Sequence, residues 1–587
     1  MRFWMHALFA TALLAQAQVP APKADAAMAA RLRQNVSFLA APELKGRGNG
    51  YPELDVVAKR IQKELQGLGL KPQIQHFPFI PKVIRESQNA ALFHGDDARP
   101  LVWGKDIEAL GLSGDADFRT KALVFLGYGI QIPGGYDDLA GIELRGRVAV
   151  IARSVPDLDA FARMGRGERG LLTRLKRLEA AQVAGVIVLE DGGLRPLLRE
   201  EGPVKLDIPV VGMTAEGLGN GCGDLAARFK TIKESGKPHS QDFILAPWTA
   251  LTLNLKLRRE EAQVPNVIAV IPGRDPKLRE EFIVLGAHMD HLGLGERHSR
   301  GTAADQGKVH PGADDNASGT AMVVELARQL VQHPPRRSVL LLHFGGEEEG
   351  LLGSSYWLQH PTQPVERVKF MLNFDMVGRF DPKAPKLMLG GLGAPKTATE
   401  AAQKLAPKTF AIQADVGAGV GGSDHMSFAL AKIPTFFFFT GAHEQYHRPT
   451  DTADLINYEG MVLLVEYAKA VALDLANADS LPVFDPETAK IPGRGGSSGA
   501  RVAFGIVPDF AENAAGFRIS GVSRGSTAET IGLQGGDIIT AFGKRPVKNI
   551  QDYMGALETF APGDKTVVQW TRNGQPMQAE ATLKARN

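Results

Sequence analysis

The stretch Phe282-Ile283-Val284-Leu285-Gly286-Ala287-His288-Met289-Asp290 decides how this chain is read. An apolar run ends in a histidine and an aspartate, the pattern of a buried strand with polar groups at its carboxyl end. Three more segments repeat it. Ser338 to Phe344 runs into Gly345-Gly346-Glu347-Glu348-Glu349-Gly350. Phe370-Met371-Leu372-Asn373-Phe374 runs into Asp375-Met376. Pro434 to Phe439 is followed by His443-Glu444-Gln445-Tyr446-His447-Arg448-Pro449-Thr450-Asp451-Thr452. Between the first two lies Gly312-Ala313-Asp314-Asp315-Asn316-Ala317-Ser318-Gly319, expected to open an amphipathic helix running to about Gln332. Strands alternating with helices from about 246 to 475 predict an α/β fold, a mostly parallel mixed sheet flanked by helices. The carboxyl edge of such a sheet is where ligands and catalytic groups gather.

The residue types at that edge suit a metal centre. Cys222 is the only cysteine, so any metal must be held by His, Asp and Glu. Imidazole nitrogen and carboxylate oxygen together suit zinc. If His288, Asp315, Glu348, Asp375 and His447 are ligands and Asp315 bridges, three negative charges face four positive ones from two zinc ions. One hydroxide offsets the remainder and is the nucleophile that amide hydrolysis needs, held between metals ~3.5–4 Å apart. Glu347, adjacent to a ligand but uncommitted, is then the general base. Asp290 orients His288 by accepting the distal N–H of its ring. Singly, a Glu run reads as a solvated loop and Asp-Asp-Asn as a helix cap. Their joint occurrence at strand ends is what argues for a site.

At these residues the chain resembles the two-zinc aminopeptidase family, which also holds glutamate carboxypeptidase-like enzymes. The matching pieces are Gly286 to Asp290, Gly312 to Gly319, Glu347-Glu348, Phe374-Asp375-Met376 and Tyr446-His447. The resemblance covers about 25–115 and 246–475, and it implies the same roles. Two Zn2+ are held by His288, Asp315, Glu348, Asp375 and His447, with Glu347 as base and Asp290 as support. Asp315 rather than Asp314 is set by counting back from Ser318-Gly319. Tyr446 is expected to donate to the developing oxyanion; no tyrosine precedes Ser423-Asp424-His425, where some relatives carry one. The implied activity is removal of N-terminal residues from peptides. The alternatives are a carboxypeptidase or dipeptidase on the same scaffold, with Arg379 or Arg448 clamping the substrate carboxylate, and a peptide-binding scaffold that has lost catalysis.

Outward from the core, Met28, Leu32, Val36 and Leu39 form one helical stripe, and Leu54, Val57, Ile61, Leu65 and Leu68 another. Residues 18–115 are expected to be the N-terminal part of the peptidase domain and 246–475 its catalytic core. Residues 116–245, with strands near Ala122–Leu126, Arg147–Ile151 and Gly185–Leu189, look like an inserted protease-associated domain. Residues 476–500, rich in Pro and Gly, read as a linker. Residues 501–587 resemble a PDZ domain through Ser526-Thr527-Ala528, Gly532-Leu533 and Gly535-Gly536-Asp537-Ile538-Ile539, which implies a peptide or protein ligand added as a strand. Arg2, an apolar run to Ala15 and Ala15-Gln16-Ala17 read as a cleaved signal peptide, 1–17, which places the protein in the periplasm or outside the cell. No run of ~18 apolar residues follows, so no transmembrane segment is expected. With 67 basic and 65 acidic residues the charge argues against a nucleic-acid partner. Peptide substrates are the expected partners.

Overall fold

The four apolar runs form adjacent parallel strands because each is buried on both faces. Phe282–His288 and Ser338–Phe344 are buried throughout, Thr435–Phe439 likewise, and Val368–Phe374 all but Lys369. In the sheet the 435–439 strand lies beside 368–374, then 282–288, then 338–344. The pairs Phe374↔Phe438, Asn373↔Gly286 and Phe344↔His288 bring all four carboxyl ends to one edge. Outside this block pairing turns antiparallel, with Lys386–Gly390 beside 435–439 and Thr249–Ile271 beside 338–344. The sheet is therefore mixed, with a parallel centre.

The structure is a computed structural model. It describes residues 25–585 except 95–96, 133, 157, 159–160, 162–168, 191–193, 195–204, 219–224, 239–248, 306, 415–421, 490–501, 509–515, 523–525, 548–549 and 558. The expected signal peptide, Cys222 and positions 490–500 of the expected linker lie outside the described residues.

Helices cover the parallel block. Ala26–Leu39 buries Met28, Leu32, Val36 and Leu39, the expected stripe, and Asp25 caps its start by accepting from the N–H groups of Ala27 and Met28. Pro52–Gly67 buries Leu54, Val57, Ile61 and Leu65. It stops at Gly69, whose φ of +82° only glycine adopts freely, with the Leu70 N–H returning to the Leu65 carbonyl at 3.2 Å. These two helices, Gly319–Gln332 and Tyr458–Asn477 share one core with Ile283, Leu285, Val339 and Leu341. Val284, Leu340, Leu342 and Phe344 face the other way, onto Trp357 and Phe428.

Two expectations change. The helix expected from Gly312 starts at Gly319, because Asp315 and Asn316 have non-helical dihedrals (φ −103°, ψ 95° and φ −132°, ψ 45°). The linker expected from 476 begins later, since Tyr458–Asn477 is helical. The inserted segment has a hydrophobic cluster of its own and is joined to the core by strand pairing. Thr249–Ile271 pairs with Gln73–His94 along nearly its whole length and with Ala116–Phe125, which continues the sheet into Val148–Ala152, Gly185–Glu190 and Val210–Thr214. Near the carboxyl terminus Phe517–Val522, Ile538–Phe542, Lys565–Arg572 and Gln575–Thr582 belong to a separate six-stranded sheet with its own core. Among the described residues no helix is long and apolar enough to cross a membrane.

Candidate metal centre

Each candidate side chain sits where a strand stops, and the neighbouring sequence explains why it stays there. His288 closes the 282–288 strand, and its carbonyl accepts from the Thr320 hydroxyl at 2.7 Å. The Asp314-to-Gly319 segment is an irregular turn held by contacts from five of its six residues. The N–H groups of Asp314 and Asp315 donate to one oxygen of Asp451 at 2.9 and 3.1 Å. Asn316 donates to the Phe374 carbonyl at 2.8 Å, and Ser318 to the Asp314 carbonyl at 2.7 Å. Gly319 is required because a Cβ there would lie 2.3 Å from the Phe374 carbonyl oxygen. Asp375 follows the 368–374 strand directly and donates its N–H to Phe438 at 3.2 Å. His447 is held at a left-handed φ of 59°, a backbone state that non-glycine residues rarely adopt outside functional turns.

The donor atoms converge in two groups that share Asp315. His288 Nε2 lies 3.3 Å from Asp315 Oδ1 and 3.5 Å from Asp375 Oδ2. His447 Nε2 lies 3.2 Å from Asp315 Oδ2 and 3.1 Å from Glu348 Oε2. Ligands ~2.0–2.2 Å from a tetrahedral ion stand about 3.3–3.6 Å apart; the two His288 separations fall in that range and the two His447 separations lie 0.1–0.2 Å below it. Several donor atoms turned inward have no hydrogen-bond partner: the imidazole nitrogens His288 Nε2 and His447 Nε2 and the carboxylate oxygen Asp375 Oδ1 are all buried and unsatisfied. Their outer nitrogens are occupied, His447 Nδ1 by the His298 carbonyl at 2.9 Å and His288 Nδ1 by the Asp290 carbonyl at 3.2 Å. Once a cation takes the place of the inner proton, each ring keeps its other proton on Nδ1 and offers Nε2 to the centre. This donor set fits zinc: His288, Glu347 and Asp375, and likewise His288, Asp315 and Glu348, bring ligand atoms within 4.8 Å of one another.

The electrostatics point the same way. Burial alone would raise the Asp315 carboxyl, but His288 and His447 on its two oxygens hold it well below the ordinary carboxylate range. Burial also pushes Glu348 up, and His447 and His291 overcome it, bringing it down to about 2. Burial pushes Glu347 well above its ordinary value, with Glu348 and Asp375 adding to the rise and His288 opposing it. Against the effect of burial, Glu348 and Asp315 raise His447 to about 10, and Asp375 and Glu347 raise His288 well above 6.5. Each ring therefore binds a proton more tightly in the metal-free protein than an ordinary imidazole does. Each cation must displace about one proton, so each apparent affinity falls about tenfold per pH unit as the pH is lowered through neutrality. Calorimetric zinc titrations in two buffers of different ionisation enthalpy will show this release. Identical heats in both buffers would contradict it.

These donors all fall in one segment of the chain. Residues 266–472 match Peptidase family M28. The aminopeptidase YwaD of Bacillus subtilis is 26% identical over 388 residues, 65% of this chain and 73% of that protein. An aminopeptidase of Pseudomonas aeruginosa is 24% identical over 335 residues, 57% of this chain and 54% of that protein, so the chain spans about half of that relative's length. Among solved structures, an aminopeptidase from Aneurinibacillus sp. strain AM-1 aligns with 79% of this chain and 97% of its own at 24% identity and a TM-score of 0.48.

Within residues 266–472 the structure brings together all five side chains named as ligands, with Glu347 beside them, its Oε2 4.0 Å from His288 Nε2. These six side chains are each 12% exposed or less, which removes the centre from bulk water. Asp290 differs from expectation. Its carboxylate is 3.6 Å from His288 Nδ1, beyond hydrogen-bond range, and its backbone carbonyl meets that ring instead. The carboxylate accepts from the N–H groups of Glu347 and Glu348 at 3.2 and 3.3 Å and from Asn49 at 2.6 Å, so it fixes the turn carrying both glutamates. Tyr446 leans on His447 with centroids 3.9 Å apart and planes tilted by 30°, and burial, with Asp315 and Glu348 nearby, raises its hydroxyl well above 10 and keeps it a donor. Arg379 is engaged by Asp451 at 3.2 Å, which weakens the case for it as a substrate clamp. The sequence reading missed Arg47, whose buried guanidinium donates to the carbonyls of Leu39, Met289, Pro311 and Gly312 and ties the ligand turns together. It also missed His291, in van der Waals range of the same turn, although His288-Met289-Asp290-His291 displays it.

Proposed function

We propose that this chain is an exported aminopeptidase that hydrolyses the N-terminal peptide bond at the carboxyl edge of the sheet, where His288, Asp315, Glu348, Asp375 and His447 would hold two zinc ions. The observation that carries the reading is Asp315, whose two oxygens face two histidines from opposite sides, at 3.3 Å from His288 and 3.2 Å from His447. The names of the Bacillus and Pseudomonas relatives point to the same activity. When bound, the zinc ions polarise the scissile carbonyl and make water a nucleophile at neutral pH. The rest falls to the chain. Glu347, buried next to Glu348 and Asp375, takes the proton from the attacking water and passes it to the leaving amine. Asp290 and Asn49 hold the Glu347–Glu348 turn so that one carboxylate serves as base and its neighbour as ligand. Tyr446, fixed against His447, donates to the oxyanion as the carbonyl becomes tetrahedral.

The other segments frame this activity. The signal-like start assigns the enzyme to the periplasm or the exterior. The 116–245 insertion, as a protease-associated domain, shapes access to the edge. A PDZ-like role for the carboxyl-terminal unit is supported by Ile506–Pro508, which pairs with Phe517–Val522 and stands at the end of its sheet, where a peptide strand can be added.

The test compares leucyl anilide with the same compound acetylated on its amine, each with and without a chelator. Cleavage of the free-amine compound only, lost on chelation and restored by zinc, is the expected result. Equal cleavage of the blocked compound, or cleavage confined to peptides with a free carboxyl end, would overturn the amino-end assignment.

A further inference from the structure

The two halves of the centre are not equivalent. On one side stands Asp375, with Oδ1 unpartnered and Oδ2 facing His288 at 3.5 Å. On the other stands Glu348, and a third histidine is seated on it. His291 Nδ1 is 2.7 Å from Glu348 Oε1, while the second oxygen, Oε2, is 3.1 Å from His447 Nε2. A carboxylate only accepts, so the shared hydrogen belongs to Nδ1 of His291. That nitrogen is 3.9 Å from Asp315 Oδ2, outside hydrogen-bond range, so the bond to Glu348 is specific.

The ring itself is immobilised. His291 is 1% exposed, and its N–H donates to the Arg47 carbonyl at 3.2 Å. The ring packs against Gly312 so closely that a Cβ there would lie 2.5 Å from its carbons, and it meets His447 edge-on with centroids 5.8 Å apart. Gly312 and Asp315 belong to the turn that Arg47 ties down, so His291 is registered to the bridging aspartate as well as to Glu348.

We propose that His291 is a positioning residue that holds Glu348 to one oxygen on one side, and so sets the zinc affinity of the Asp315–Glu348–His447 position without acting on the other. The proposal rests on the two-zinc reading above. With Oε1 committed to His291, Glu348 offers a cation only Oε2, aimed beside His447. Without the imidazole, Glu348 is free to rotate or to turn both oxygens inward, and the rigid half-site becomes a loose one. Outer partners of this kind are worth 10- to 100-fold in metal affinity.

The experiment titrates zinc into chelator-stripped full-length protein by calorimetry, for the wild type, His291→Ala and His291→Asn, with cobalt absorption spectra as a second readout. The Asn side chain can place an amide donor near the position of Nδ1. Two binding events are expected in the wild type. His291→Ala should weaken one of them 10- to 100-fold, leave the other unchanged and alter one component of the cobalt spectrum. His291→Asn should recover most of the lost affinity. Unchanged affinities in His291→Ala, equal weakening of both events, or a folded His291→Asn that recovers nothing would each overturn the proposal. A wild type that binds fewer than two zinc ions would overturn the two-zinc reading itself, whatever the variants do.

Discussion

Replacing Glu347 with Gln lowers kcat by about 10²–10⁴-fold while both zinc ions stay bound, because the residue moves a proton without holding a metal. Its carboxylate lies at the margin of the centre, 4.0 Å from His288 Nε2, whereas Asp315 and Asp375 approach the same nitrogen at 3.3 and 3.5 Å. Burial raises its proton affinity well above that of an ordinary glutamate, which suits a group that must accept a proton and then give it back. Gln keeps the size and the backbone bond from Glu347 to Asp290, so the turn survives and only the proton transfer is lost. Steady-state kinetics with metal analysis on the same preparation separate the two effects. Unchanged kcat would remove Glu347 from the mechanism, and loss of zinc would make it a ligand.

Replacing Asp315 with Ala is the larger lesion. Both zinc positions use this side chain, so both cations are expected to be lost together and turnover to fall below detection. By contrast, Asp375→Ala removes a donor from one half only and should leave the Glu348–His447 half occupied. The variant deletes a carboxylate that His288 and His447 hold charged in a buried place, and those two rings are left facing each other. Metal content after dialysis against zinc, set beside a melting curve, decides the point. Retention of one full equivalent of zinc by a folded Asp315→Ala protein would show that Asp315 does not bridge.

The centre was legible in the sequence because its supports are strands buried on both faces. Such strands spell continuous apolar runs, and their polar endings, His288, Glu347-Glu348 and Asp375, stand out against them. His447 was harder, since it lies eight residues beyond Phe439 on a turn held by a left-handed φ and by contacts to His298 and Arg300 that no periodicity announces. Choosing Asp315 over Asp314 needed a family resemblance. Both aspartates are buried, and Asp314 is spent on the Gly378 N–H and on His443, 2.6 and 3.0 Å away. His291 was not legible because its partner Glu348 is 57 residues away in sequence, and only the folded chain brings the two together. The link between insertion and core had a readable signal. Leu251, Leu253, Leu255 and Leu257 alternate with exposed or half-buried neighbours as a strand should, and that strand carries the central sheet into the 116–245 segment. What the sequence hid there was the long-range pairing with Gln73–His94, whose prolines and charged residues obscure its period.

Anomalous diffraction at the zinc edge, on crystals of the full-length protein grown with zinc, tests the central claim most directly. The account predicts two peaks about 3.5–4 Å apart on either side of the Asp315 carboxylate, one against His288 and Asp375 and the other against Glu348 and His447. A single peak, or metal bound anywhere else while these five side chains keep their places, would contradict it.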